Sequence, residues 1–326
     1  MWSDFERSLA HIQDVESELL LSRLYGLSDL TPKEEARLQN AWGYIQIRRR
    51  RHIIQALIEL AEASSLVDFR AVFRLCLSDE DGQARALAIN GLWEDRDRHL
   101  ASLLIRLLRE DPVPEVRAAA AMVLGNSVLR GELENWGQAT RVREALFETL
   151  VSSGELLEVR RRTLESLAYA TDERVPPLIE AAYHGEEAKM RVSALFAMGR
   201  SADPRWASMV LQELRSSDPE MRYEATRACG ELQLVQAVPM LEKLTCDPDR
   251  EVQETTIWAL GQVGGPEARR ILEACYEQAD ESICEAIEEA VAELSLGDES
   301  FSLAYHELLD DELQDLADLE ERFSPR

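Results

Sequence analysis

The chain has 326 residues, 45% hydrophobic and 30% charged, with a formal net charge of −26. That apolar fraction supports a continuous core and excludes wholesale disorder, while so negative a field disfavours nonspecific binding to phosphate backbones. The longest apolar runs, such as Ala118 to Leu124, fall far short of a bilayer span, and Met1-Trp2-Ser3-Asp4 lacks a basic start followed by an apolar stretch, so a cytoplasmic protein is expected, with neither nucleic acid nor membrane as partner.

Residues 1–65 read as helices with no repeat signature and are expected to cap whatever follows. Thr31-Pro32-Lys33-Glu34 is a capping box with proline at the first helical position, so a helix starts there. Behind Trp42 and Tyr44 comes the strongest basic signal of the chain, Arg48-Arg49-Arg50-Arg51-His52. Arg48, Arg51 and His52 share a helical face by their spacing. The plain expectation is a solvated or salt-bridged face. The sharper one is a patch that receives an acidic partner, or the chain's own acidic end.

From residue 66 onward one position recurs as Arg85, Arg117, Arg160, Arg191, Arg222, Gln253 and Cys284, and the last four steps are each 31 residues. A fixed period of this size means a solenoid whose units bury their apolar faces against one another. Relative to each arginine, apolar residues fall at −1, +3, +6 and +7, as in Val116, Ala120, Val123 and Leu124, which form one stripe of a helix, here called helix B. Glycine at +8 (Gly125, Gly199, Gly230, Gly261) is expected to end that helix in a left-handed conformation. A second amphipathic segment, helix A, lies between, as in Val238–Asp247, and Asp-Pro pairs (Asp111-Pro112, Asp218-Pro219, Asp247-Pro248) mark the turn into the next helix B.

The step from Arg117 to Arg160 is 43 residues, and its surplus falls in 127–140, expected as an inter-repeat loop around Trp136. Cys76, Cys229, Cys246, Cys275 and Cys284 lack CxxC spacing and read as small reduced thiols, the first two in the core. At the far end, residues 277–326 hold 17 acidic and 2 basic side chains, and the stretch after Gly297 carries leucines at 309, 313, 316 and 319. Residues 298–326 fit a marginal amphipathic helix or an unstructured tail.

The pattern Asp-Pro-x-x-Glu-Val-Arg-x-x-Ala-x-x-x-Leu-Gly, seen from Asp111 to Gly125 and repeated over residues 66–297, resembles the HEAT-repeat superfamily, in its short bacterial form named from phycobilin lyases. The resemblance implies an all-α, right-handed superhelical solenoid of about seven helix pairs, with helix B lining the concave side. It also implies that the recurring arginines (Arg85, Arg117, Arg160, Arg191, Arg222) form a structural ladder to turn aspartates, with Asp111, Asp218 and Asp247 as acceptors. Positions +1 and +5 then face the concave surface. There Phe196, Tyr223, Arg227 and Trp258, joined by Met122, Val192 and Arg161, are the candidate partner-binding residues, of the types that dominate interface hot spots; lateral packing between B helices is the plain alternative.

Catalytic signals are weak. HExxH and glycine-rich phosphate loops are missing from the sequence, and the repeated His-Glu pairs of the superfamily's iron-dependent deoxyhypusine hydroxylases have one counterpart, His306-Glu307. The expectation is therefore a non-enzymatic scaffold or adaptor without cofactor, binding a protein or peptide segment along the concave face, with the acidic tail as a further intramolecular occupant. The second expectation, from the resemblance, is a chaperone-like bilin lyase or assembly factor for a cofactor-bearing protein.

Overall fold

The computed structural model describes residues 4–134, 136–277 and 279–294, and every regular element among them is helical. The tail at 298–326, His306-Glu307 and the side chain of Trp136 lie outside the described residues. Three helices come first: α1 (Asp4–Gln13), α2 (Pro32–Trp42) and α3 (Ile47–Ala63). Seven pairs follow: α4 (Arg70–Cys76) with α5 (Gly82–Asn90), α6 (Arg98–Glu110) with α7 (Pro114–Glu134), α8 (Trp136–Val151) with α9 (Leu157–Leu167), α10 (Val175–Tyr183) with α11 (Ala188–Arg200), α12 (Ala207–Glu213) with α13 (Pro219–Glu231), α14 (Val238–Leu244) with α15 (Arg250–Val263), and α16 (Gly265–Tyr276) with α17 (281–294). The all-α solenoid class read from the sequence is the one formed. The chain divides into two compact units, residues 1–197 and 198–326.

The stripe positions make the core. Val116, Ala120 and Leu124 are fully buried and Val123 nearly so, and α5 packs on α7, α7 on α9 and α13 on α15, B helix against B helix. Thr31 caps α2 as expected: its hydroxyl accepts from the Glu34 amide at 3.4 Å while the Glu34 carboxylate accepts from the Thr31 amide at 3.0 Å. Cys76 and Cys229 are buried, and desolvation raises both thiols, that of Cys229 to about 12.

Two expectations are corrected. The surplus of 127–140 is no inter-repeat loop; helical backbone continues to Glu134 in α7 and resumes at Trp136 in α8. Nor do the +8 glycines end their helices. A Cβ on Gly230 would stand 2.6 Å from Trp258 Cζ3 and 3.1 Å from Ala259 Cα, and one on Gly261 3.2 Å from Ala290 Cα. Their task is close approach of the neighbouring B helix. The left-handed stop comes three residues later, at Ala202 (φ 50°), Gln233 (φ 49°) and Gly264 (φ 72°), again 31 apart. At Gln233 the stop is a Schellman motif, with the Leu234 amide donating to Cys229 O at 2.9 Å and the Gln233 amide to Gly230 O at 3.0 Å.

The arginine ladder joins successive turns. Arg85 donates to both Asp111 oxygens at 2.9 and 2.8 Å and to Asp79 O at 2.8 Å. Arg117 does the same to Glu155 and to Asp111 O, and Arg222 to Asp247 and to Ser216 O. The acceptor stands 25 or 26 residues after its arginine, or 38 across the longer repeat. Counting 25 from Arg160 reaches Gly185, which has no carboxylate, and Arg160 Nε is buried without a hydrogen-bond partner. Asp218 is no acceptor but the N-cap of α13, taking the Glu220 amide at 3.0 Å. The Asp-Pro pairs are thus of two kinds, one closing the ladder and one starting a helix. Gln253 keeps only the backbone half of the rung, donating to Asp247 O.

Candidate functional site

Within the first unit the ladder begins one repeat earlier than the sequence suggested, two helices before Arg85. Arg50 of α3 is 3% exposed, and its Nη1 lies 2.8 Å from both oxygens of Asp79, with Nη2 2.6 Å from Glu80. Arg51 holds Asp81, the N-cap of α5, through two bonds of 2.7 and 2.6 Å, and this pairing keeps the Asp81 carboxyl below its usual range. Arg49 donates to the backbone oxygens of Ile12, Ser17 and His11 at 2.8–2.9 Å. The expected basic patch is therefore corrected: Arg49 and Arg50 are internal ties, Arg51 clamps a helix start, and Arg48 alone of the four is exposed to solvent, beside exposed His52. α3 is a B helix in all but sequence signature.

With α3 and α5 fixed side by side, a furrow opens between them. Its first part, about 660 Å³, is lined by Arg48, Arg51, His52 and Gln55 of α3 and by Gln83 and Leu87 of α5. Its second part, about 870 Å³, shares Gln55 and Leu87 and continues past Ile58, Phe73, Asn90 and Met122 to Trp93, Glu62 and Glu94. Counted from Arg50, Arg85 and Arg117, the residues Gln55, Asn90 and Met122 all stand at +5. Apolar and polar side chains share the lining, and the ends differ in character. Arg48 and His52 are exposed at one end, Glu62 and Glu94 at the other, and Trp93 is 40% exposed. Asp68 and Asp95, at the acidic end, are already held by Arg70 and Arg74.

A family model for HEAT repeats matches residues 69–168, 175–243 and 207–292. The chain belongs to the HEAT-repeat family. Bovine deoxyhypusine hydroxylase is 30% identical over 135 residues, 39% of this HEAT-repeat chain and 45% of the bovine one, and the rat protein of the same name is 28% identical over 114 residues, 34% and 38% of the two chains. The chain thus spans less than half the length of the curated relatives it matches. Because they are named for an enzyme, the expectation of a protein without enzymatic activity is corrected. Among solved structures, the complex of CpcE and CpcF of phycocyanin lyase from Nostoc sp. PCC7120 matches with a TM-score of 0.54 and 18% identity, over 77% of this chain and 96% of that one, a likeness of fold.

Iron, which the family's hydroxylases use, finds no fitting donor set among the described residues. His11, His52, His99 and His184 stand on or beside four different helices, and no three His, Cys, Asp or Glu side chains converge as a metal site would need. No helix among these residues is long and apolar enough to cross a membrane.

The remaining candidate residues of the HEAT-repeat chain divide by unit. In the first, Met122 lines the furrow. Arg161 is no free anchor: Nε bonds Ser193 Oγ at 3.0 Å and Lys189 O at 3.1 Å, and Nη1 bonds Glu158 at 2.9 Å. Val192 is 7% exposed and belongs to the packing, and Phe196 is half-buried. In the second unit Tyr223 is half-buried, and Arg227 pairs with Glu231 at 3.1 Å, a carboxylate that also faces Arg200 at 3.2 Å. Burial raises the Glu231 carboxyl. Trp258 is 38% exposed, with its six-membered ring against Gly230. Arg161 is bonded across to the next B helix, Val192 is buried, and Arg227 is tied to Glu231 within its own helix.

Sequence reasoning missed Trp93, Leu87, Ile58 and Gln55. The one available signal was the beat itself: starting it at Arg50 puts Gln55 at +5, in line with Asn90 and Met122.

Proposed function

We propose that this HEAT-repeat protein binds a segment of protein in the furrow between α3 and α5. One observation carries the reading: a trough with Ile58, Leu87 and Met122 in its lining and a solvent-exposed tryptophan, walled by α3 and α5, with exposed Arg48 and His52 at one end and exposed carboxylates at the other. Aromatic anchors in preformed clefts contribute most of the energy at protein interfaces, while exposed charges at the ends set register and direction. The helix ties at Asp79 and Asp81 hold the walls before anything binds, which lowers the ordering cost of association. The furrow also suits an amphipathic helix, which would lay its apolar face on Leu87, Ile58 and Met122.

Gln55 and Asn90 are exposed, so replacing either by tryptophan fills the furrow without disturbing the core. Affinity capture from the source cells with the unaltered protein and with Gln55→Trp and Asn90→Trp tests the reading. A partner held by the former and lost from both variants is expected, while Arg205→Ala, an exposed change in the second unit, should retain it. Equal recovery with the filled furrow refutes the assignment.

A further inference from the structure

We propose that Arg160 is a binding site for a carboxylate supplied from outside the chain, which completes a rung of the ladder that the sequence leaves open. The site shares no residue with the furrow and does not rest on the furrow being a binding surface. A full rung has two halves. In Arg85, Arg117 and Arg222 part of the guanidinium grips a carboxylate while Nη1 donates to the carbonyl six residues earlier. Arg191 keeps the carbonyl half, to Gly185 O at 3.4 Å. Arg160 has neither half: its Nε is shielded from solvent without a hydrogen-bond partner, and no carboxylate among the described residues pairs with it.

The register identifies what is missing. Asp111 serves two ladder residues, its carboxylate taking Arg85 and its carbonyl Arg117, and Asp247 does the same for Arg222 and Gln253. Gly185 holds the corresponding place, six residues before Arg191 and 25 after Arg160, and its carbonyl takes Arg191, but it has no side chain to offer Arg160. The missing group is a methylene carboxylate, the size of acetate. Neighbouring acids do not replace it. Glu155 is committed to Arg117, and Glu158 to Arg161 and Arg162. Glu186 precedes Arg191 as Glu155 precedes Arg160, yet it is exposed and pairs with no cation among the described residues. A guanidinium stays charged at ordinary pH, so one partly withdrawn from water gains from an anion the bidentate pairing its siblings already have. Arg160 is half-buried, so a carboxylate in solution or on a partner's acidic side chain reaches it without opening the core.

The test follows the Nε–Hε signals of the full chain, isotope-labelled at arginine nitrogen, the Arg160 signal being the one missing from Arg160→Lys. Sodium acetate should move it saturably, and sodium chloride at equal ionic strength should not. Gly185→Asp supplies the carboxylate in place; a Cβ at 185 would lie 3.3 Å from the carbonyl oxygens of Ala181 and Ala182, so the change asks for only a small adjustment. This variant should shift the Arg160 signal without ligand and weaken the response to acetate about tenfold or more, as the loss of a hydrogen bond to a charged group does. Circular dichroism shows whether it keeps the helical fold; if it does not, the saturable response of the unaltered chain to acetate, set against chloride, decides. A second ligand, the peptide acetyl-Gly-Asp-Gly-amide, separates the sources. Saturation at lower concentration than acetate assigns the site to an acidic side chain of a partner protein, and equal or weaker binding assigns it to a free carboxylate; both support the site. A signal that neither ligand moves saturably overturns the proposal. So does a response to acetate that emerges only after Glu186→Gln, since Glu186 then closes the rung itself.

Discussion

Replacing Asp79 by alanine should cost the first unit about 4 kcal/mol. The Asp79 side chain is completely shielded from solvent, and it accepts Arg50 Nη1 on both oxygens at 2.8 Å, Trp42 Nε1 at 2.7 Å and the Asp81 amide at 2.9 Å. Arg50 is itself 4% exposed at the side chain. Without Asp79 its charge keeps only Glu80, a carboxylate 71% exposed, and the Trp42 indole N–H loses its acceptor. Breaking a buried pair from one side costs about 3–5 kcal/mol, and an orphaned buried donor about 1–3 kcal/mol; the two overlap, since both count the same desolvated pocket. For a unit of this size each kcal/mol moves the melting temperature by about 2–4 °C, so circular dichroism should show the first unit melting about 8–16 °C lower. Because contacts in a solenoid are between neighbours, hydrogen exchange should rise in α2–α5 and stay unchanged in α13–α15. The double change Asp79→Leu with Arg50→Met removes both charges together and should recover most of the loss. A shift under about 3 °C for Asp79→Ala, or a double variant no better than the single, would refute the view that Arg50 and Asp79 are a rung of the ladder.

Gly230→Ala should destabilise the second unit by about 1–3 kcal/mol in urea unfolding, because its methyl would meet Trp258 and the Ala259 backbone; Trp258→Ala should relieve part of that cost, since Trp258 Cζ3 is the nearer obstacle. Gly185→Asp places a carboxylate 25 residues after Arg160, where Asp247 follows Arg222, and should raise the first unit's melting temperature by a few degrees; a loss would show that the gap in the ladder is not a missing acceptor. Arg174 lowers the Asp172 carboxyl from 3.8 to about 2. The folded state therefore binds fewer protons than the unfolded one in that window, so this contribution to stability is complete above about pH 4 and is lost as pH falls through 2. Acid titration of Asp172→Asn should show a flatter stability curve between those limits.

The period was legible because each unit repeats one burial problem. Val116, Ala120, Val123 and Leu124 must face a neighbour, so their spacing survives changes everywhere else. The chemistry of the turns was less legible, since one dipeptide serves two geometries. Asp247-Pro248 closes a rung with Arg222, whereas Asp218-Pro219 caps α13, and only the 25-residue interval from arginine to acceptor tells them apart. Glycine at +8 misled for a similar reason: Gly230 is needed for lack of a Cβ, but the demand comes from Trp258 one repeat away and not from its own backbone.

The furrow was the least legible feature, because it exists only when α3 and α5 lie side by side, and α3 stands 35 residues ahead of the beat at Arg85 and hides its rung inside four consecutive arginines. Yet those arginines explain one another once separated by direction. On a helix, neighbours in sequence point about 100° apart, so a run of four must serve different surroundings: Arg49 the backbone before it, Arg50 the buried rung, Arg51 the start of α5, and Arg48 the solvent at the furrow's mouth. A run that reads as one patch of charge is three structural ties and one exposed cation. The proposed binding surface therefore begins where the ladder has no further use for an arginine.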